Sequence, residues 1–134
     1  MSIFKKVEKF NKEVIGIHRN TKCELSKDEN DWLIGALNEE ITEYITAYTN
    51  RDFIGQIDSI IDLIYFAAGA LTRMGITAEQ SEKIFNVVHA CNMAKVQGRK
   101  TERSVQSDLD AIKPDDWTDP SAAIIDILTE DDKR

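Results

Sequence analysis

Two short acidic patterns are where this chain could do chemistry. The first is Glu39, Glu40 and Glu43 within NEEITEY. On a helix turning about 100° per residue, these three fall within an arc of roughly 100°. That arc also carries Ala36 and Ala47, small residues that would let a neighbouring helix or a ligand come close. The second pattern lies in IDSIIDLIYFAAGAL, residues 57 to 71, where Asp58 and Asp62 interrupt an otherwise apolar or small run. They sit about 40° apart on a helix. An ionised carboxylate buried without a partner loses its hydration at considerable cost, so something must compensate these acids.

The elements that would position them are helices. Ile3, Phe4, Val7, Phe10, Val14 and Ile17 recur near helical spacing and predict an amphipathic first helix over 3 to 16. Residues 17 to 27 are polar and aperiodic, a connection. Ser26 or Asp28 could cap the next helix, with Glu29 suited to a capping box if Ser26 is the cap. The second helix is expected from about 28 to 49, with Leu33, Leu37, Ile41, Tyr44 and Tyr48 on its apolar face. A break at Asn50, Arg51 and Asp52 precedes a third helix, from about 53 to 74, apolar on most sides and therefore expected in the middle of its bundle. Gly75 suits a helix end, and Thr77 would cap a fourth helix running to about 95, its core face Ile84, Val87, Val88 and Cys91. From Gln97 the chain turns polar and holds both prolines and Trp117. That predicts a mostly irregular tail, with a short closing helix near SAAIIDIL and fraying of the last few charged residues. The fold class is all-α, a four-helix bundle in a single domain, with 1–96 as the helical core and 97–134 as the tail.

The short break makes helices two and three antiparallel neighbours and brings Glu43 level with Asp58. Glu39, Glu40, Glu43, Asp58 and Asp62 would then converge, and five negative charges cannot stay together unneutralised. Neither helix has an internal Lys or Arg at that depth. Hard divalent cations, Mg²⁺ or alternatively Mn²⁺, prefer oxygen ligands of this kind, so a metal site is the expected remedy. Any one of these glutamate pairs alone would read as a solvated helix face; the combination is what carries the expectation.

The pattern resembles the all-α nucleoside triphosphate pyrophosphohydrolases, which include MazG-like proteins, dimeric dUTPases and phosphoribosyl-ATP pyrophosphohydrolase. E-E-x-x-E at Glu39, Glu40 and Glu43, followed by Asp58 and Asp62, carries the likeness. DSIIDLIYFAAGALTRMGI, VHACNMAKV and DAIKPDDWTDP resemble the phosphoribosyl-ATP pyrophosphohydrolase-like branch, as does FKKVEKFNKEVIG, so the likeness covers nearly the whole chain. Many members carry E-x-x-D on the second acidic helix; here Ser59 stands where that Glu would be, and Asp58 lies one position earlier. The resemblance implies cleavage of a nucleoside triphosphate between its α and β phosphates, releasing a monophosphate and pyrophosphate. Metal held by Glu39, Glu40, Glu43, Asp58 and Asp62 would neutralise phosphate oxygens and acidify a water. One of Glu39 and Glu40 would take the water's proton, and the sequence leaves open which. Lys95, Arg99, Lys100 and Arg103 are candidates for the phosphates, and Asn92 for a hydrogen bond to base, sugar or phosphate. Lys113 and Trp117 could close the site, although Trp117 equally suits anchoring the tail. His18 and His89 are isolated and expected to be packed or otherwise satisfied, and Tyr65 and Phe66 read as core.

Composition bounds the alternatives. A net charge of −7 over 134 residues argues against gripping polymeric nucleic acid. Cys23 and Cys91 are two scattered thiols, read as reduced, and the N-terminus has no long apolar run, so a cytoplasmic protein is expected. The run at 57 to 71 reads as too short and too charged for a membrane span. Trp32, Phe53 and Phe85 look for cover, and relatives are dimers or tetramers, so a homodimer or homotetramer is expected. A ferritin-like redox centre would need Glu three residues before His18 or His89, and neither has it. A non-catalytic nucleotide- or protein-binding bundle, or a purely structural helical dimer, shares the expected fold and is separated from the enzyme only by activity and metal response.

Overall fold

The computed structural model describes residues 1–130; the expected fraying of the terminal charged residues lies outside them. The protein is all-α with a helical bundle core and an irregular C-terminal segment. Residues Met1–Ser81 form one compact unit and those from Glu82 on a second.

In the first unit, Ser2 accepts from the Lys5 amide at 3.2 Å and starts α1, Ile3–Phe10, which continues as a π-helical turn over Asn11–Ile15. Ser26 caps α2, Lys27–Thr49, through the Glu29 amide at 3.2 Å. The capping box does not form, because the Glu29 carboxylate is taken by Arg19 and Arg73 at 2.9 and 3.2 Å. A turn through Arg51, with φ 55°, and a cap by Asp52 on the Gly55 amide start α3, Phe53–Arg73. Gly75 follows at φ 78°, a backbone conformation that favours glycine, and a Cβ there would run into the Thr21 carbonyl. Thr77 and Gln80 cap one another's amides at the start of α4, Ala78–Met93. Glu8 of α1 accepts from the Ala78 amide at 2.7 Å, placing a carboxylate on that helix's first turn.

α2 and α3 pack along their length as an antiparallel hairpin, and α1 lies across α3. Small side chains make the close contacts: Ala36 and Ala47 on α2, Ser59, Ala68 and Gly69 on α3 are all buried. A Cβ on Gly69 would come within 3.1 Å of the Asn11 amide, so glycine is what lets α1 approach this closely.

Here the sequence expectation for α3 needs correcting. Ile57, Ile60, Ile61 and Ile64 are between 44 and 53% exposed, so α3 is not a central helix within this chain. Tyr48 and Ile41 of the expected α2 face are exposed as well. Apolar periodicity reports that a face wants cover; small residues decide which face its nearest neighbour can reach. α3 keeps the bounds expected of it, and as a whole it is longer than its apolar run 57–71. By length and composition it could cross a membrane, with 17% of its most apolar window buried.

In the second unit, α4 turns Ile84, Val87, Val88 and Cys91 inward as a half-buried stripe, as expected. His89, expected to be packed, lies off that stripe and is exposed, as is His18 in the first unit. The tail contains a feature too short for sequence periodicity to reveal: Val96–Gln97 (β1) pairs antiparallel with Ala111–Ile112 (β2). α5 spans Ser121–Thr129, the expected closing helix.

Candidate active site

The acids arrive from two faces of the α2–α3 hairpin. Glu40 and Glu43 are three residues apart on α2, and Asp58 and Asp62 are four apart on α3. With Ala36, Ala47 and Ser59 buried on the two helices, these four carboxylates share one electrostatic environment. Burial first, then the charges of Glu43 and Asp62, raise the Glu40 carboxyl above its ordinary range; Asp58 contributes less. Burial likewise raises Asp62, with Asp58 and Glu43 adding to the effect. Glu43 and Asp58 together line a cleft beside Ser59 and Gly55. The Ser59 found where relatives carry Glu is therefore a packing residue, 4% exposed, while Asp58 next to it faces the cleft.

Glu39 is exposed, as Glu43 and Asp58 are, and lines an open groove with Asn38, Thr42 and Glu43; its charge is not among those that raise Glu40 or Asp62. Adjacent residues of α2 point about 100° apart, so Glu39 and Glu40 face different directions, with Glu43 between them on the helix surface. Four of the five sequence-selected acids, Glu40, Glu43, Asp58 and Asp62, feel one another's charge, and Glu39 shares a groove with one of them, Glu43.

A divalent cation can be tested against one local observation. Among the described residues the Oε2 of Glu40 is buried without a hydrogen-bond partner, although the Glu43 carboxyl lies close enough to act on the Glu40 carboxyl; such an atom is rare and asks for an explanation. Four hard oxygen-bearing side chains around such an atom have the chemistry that Mg²⁺ or Mn²⁺ selects. Among the described residues, no three His, Cys, Asp or Glu side chains are yet drawn tightly enough to grip an ion as they stand. The donor set therefore fits such a cation in the kind of its ligands, without a preformed cage among the described residues.

Asp62 also reaches a second feature, a cavity of about 480 Å³ between α1, α2 and α3. Its walls are aromatic. Trp32 meets Phe66 edge-on with centroids 5.9 Å apart, and Phe10 meets Tyr65 at 5.3 Å and 88°. Tyr65 and Phe66, read from sequence as core, therefore face open space. Arg73 lies over the Trp32 ring at 4.0 Å and is held there by Glu29, which also binds Arg19. Hydrogen bonds from Arg19, then Arg73, keep the Glu29 carboxyl below its ordinary range. Sequence reasoning passed over Asn11 and Arg73. Asn11 did leave a signal, a polar residue one turn after Val7 on an apolar face.

The cations selected from sequence belong to the second unit. Arg99 is paired with Asp108 at 2.9 Å and Arg103 with Asp110, pinning the loop that β1 and β2 close. The Arg103 guanidinium keeps the Asp110 carboxyl below its usual range. Lys100 lies in the same loop, and Asn92 is exposed near the end of α4. Lys95 and Lys113 flank the Trp117 ring at 5.4 and 4.7 Å, and the Trp117 indole donates to the Cys91 carbonyl at 2.6 Å. Trp117 thus anchors the tail segment to α4.

No curated protein matches the chain. The family model for phosphoribosyl-ATP pyrophosphohydrolase matches residues 7–92, which takes in the second half of α1, both acidic helices and nearly all of α4. An all-α core, carboxylates converging from adjacent helices and that match over well more than half of its length place the chain in the phosphoribosyl-ATP pyrophosphohydrolase family, a family of pyrophosphate-releasing hydrolases.

Proposed function

We propose that this protein is a metal-dependent nucleotide pyrophosphohydrolase that cleaves between the α and β phosphates to give a nucleoside monophosphate and pyrophosphate. Nucleoside triphosphates are the proposed substrate class, with phosphoribosyl-ATP, the substrate in the family's name, among them. The observation that carries the reading is the convergence of Glu40, Glu43, Asp58 and Asp62 around a buried, unpartnered carboxylate oxygen.

The cation would be held by Glu40, Glu43, Asp58 and Asp62, with Glu39 at the edge of the set. When bound, Mg²⁺ or Mn²⁺ supplies neutralisation of phosphate oxygens and acidification of a water for in-line attack. The protein's own part is positional and protonic. The α2–α3 hairpin fixes the donors at one depth, and the small residues beneath them leave room for phosphate. Of Glu39 and Glu40, the better-placed proton acceptor is Glu40, whose carboxylate is poorly hydrated and surrounded by like charge; a carboxylate in that environment holds a proton more strongly than one in water. Lys95 and Lys113, which flank Trp117 within the second unit, are carried forward as candidate phosphate-binding cations on the strength of the family resemblance. Lys100 and Asn92 remain in the proposed set, with Arg99 and Arg103 supporting the loop.

The exposed isoleucines of α3 support a homodimer or homotetramer in preference to a membrane partner. Covering each large aliphatic side chain stabilises by about 1.5–3 kcal/mol, and the same helix carries two acids toward α2. A cytoplasmic, self-associating enzyme without nucleic-acid partners is the reading that suits the negative charge.

The test is purified protein with Mg²⁺ and a panel of nucleoside triphosphates plus phosphoribosyl-ATP, products identified by mass. Monophosphate and pyrophosphate are expected from at least one. Metal uptake without turnover on any of them would instead indicate a binding module.

A further inference from the structure

We propose that Ser59 is a positioning residue of this site: its hydroxyl holds a water ligand of the cation in the cleft that Glu43 and Asp58 line. The inference rests on the hydrolase reading above for the presence of a cation, and on the geometry of the α2–α3 hairpin for the residue.

The register of the hairpin locates the hydroxyl. A Cβ on Gly55 would lie 3.1 Å from the Ala47 methyl, so these two residues are level with each other. Antiparallel helices of equal rise then put Ser59, one turn after Gly55, level with Glu43, one turn before Ala47. The next turn sets Asp62 near Glu40, and Asp62 does act on the Glu40 carboxyl. Ser59 is 4% exposed and shares a cleft of about 310 Å³ with Glu43, Asp58, Thr42, Thr46 and Asn50.

Packing explains why this side chain is small and buried, and alanine would serve that purpose as well. The hydroxyl needs a second reason. On helices such groups often bond the carbonyl four residues back, as Thr49 and Thr129 do at 2.9 Å. Ser59 makes no such bond, and no other described group partners its hydroxyl. Among the described residues the sealed, unpartnered side-chain oxygen belongs to Glu40, so the Ser59 oxygen opens on the cleft. A nearly buried hydroxyl with nothing bonded to it offers one hydrogen and two lone pairs to whatever fills that space. Carboxylates on the same cleft name the filling as cationic, and no Lys or Arg lines it to receive an anion directly. Mg²⁺ in particular keeps several of its waters when carboxylates bind it. The Ser59 oxygen accepts from one such water while its hydrogen goes to a cleft carboxylate, and the uncharged Thr42, Thr46 and Asn50 suit the rest of the shell. Fixing that water's orientation before reaction is what the residue contributes.

Mn²⁺ alone, without nucleotide, reads this directly. Its binding is followed by the electron paramagnetic resonance of the free ion, the waters on the bound ion by proton relaxation, and folding by thermal unfolding in chelator. Ser59→Ala is expected to leave Tm in chelator unchanged or raised, because the hydroxyl it removes has no partner there. The same variant should weaken Mn²⁺ about five- to tenfold, the worth of one hydrogen bond, and alter the relaxation of the bound waters. Ser59→Cys keeps the volume with a poor hydrogen-bonding group and should show the same loss; Ser59→Thr keeps the hydroxyl and should bind as wild type. In turnover, Ser59→Ala should lower kcat about tenfold with KM unchanged. A residue that only packs predicts the opposite, a changed Tm in chelator with one Mn²⁺ affinity for all variants. Unchanged Mn²⁺ affinity in folded Ser59→Ala or Ser59→Cys overturns the proposal, as does an equal loss in a Ser59→Thr as stable as wild type. Turnover by a wild type whose Mn²⁺ affinity ignores the hydroxyl would sink this inference and leave the hydrolase reading standing. Mn²⁺ affinity that follows the hydroxyl, without turnover of any nucleotide, would do the reverse.

Discussion

Glu40→Gln should make the metal-free protein more stable while removing its activity. In the native chain Oε2 of Glu40 is buried without a partner, beside three further acids. A buried unsatisfied polar atom costs about 1–3 kcal/mol, more when charged. The amide keeps the shape, removes the charge and places an N–H₂ beside Glu43. A net gain of about 1–2 kcal/mol is expected, which for a domain of this size is a rise of about 4–8 °C in Tm. The pH dependence has a definite sign. Glu40 and Asp62 are carboxyls raised in the folded state, chiefly by burial. The folded protein therefore holds protons that the unfolded chain releases, and stability falls as pH rises through the folded-state values. The metal-free wild type should gain Tm on acidification through the raised folded-state values, and Glu40→Gln should gain less. Thermal unfolding in chelator at several pH values, repeated with excess Mg²⁺ or Mn²⁺, reads all of this. On the proposed function, metal stabilises the wild type more than the variant, and pyrophosphate release by Glu40→Gln falls at least about a hundredfold. A variant less stable than wild type in chelator would show that the carboxylate is already favourably engaged. Equal metal stabilisation of both proteins would separate the acidic group from metal binding.

Asp62→Asn and Glu43→Gln should each lower turnover by orders of magnitude with helicity intact, measured by pyrophosphate release alongside circular dichroism; a purely structural helical dimer would keep its metal response unchanged. Chelation should abolish wild-type turnover, and added Mg²⁺ or Mn²⁺ should restore it. Glu29→Gln should cost about 1 kcal/mol at neutral pH, modest because the pairs are partly exposed. The Glu29 carboxyl is lowered in the folded state, first by Arg19, so its contribution is present above the unfolded value of about 4.3 and lost as pH falls through the folded one. Denaturant titrations of wild type and variant should therefore converge in acid, and a gap that persists there would refute the assignment. Gly75→Ala should destabilise by about 1–3 kcal/mol, since φ 78° is strained for alanine and the methyl meets the Thr21 carbonyl; an unchanged Tm would show that the turn can relax.

Much of the molecule was legible from local chemistry alone. Ser26, Asp52 and Thr77 mark helix starts because short oxygen-bearing side chains satisfy free amides, and the caps at Ser26 and Thr77 fall where the sequence placed them. The acids could be selected for the same kind of reason: spacing on a helix is fixed by its pitch, and like charges in an apolar run demand an explanation wherever they occur. Direction relative to a neighbouring helix is a different quantity. Glu39 and Glu40 are adjacent letters of one motif, yet of the two it is Glu40 that carries a buried carboxylate oxygen under the charges of Asp62 and Asp58, because neighbours on a helix point about 100° apart and the fold decides which direction is covered. The same packing turned the isoleucines of α3 outward, where hydrophobicity alone had placed them inside. The aromatic cavity was invisible for a related reason. Phe10, Trp32 and Phe66 come from three helices, and no spacing within any one of them reveals the space between them. Composition and periodicity determine what each helix is and which groups it carries; the close approach of small residues, which exists only once the chain is folded, determines which of those groups meet.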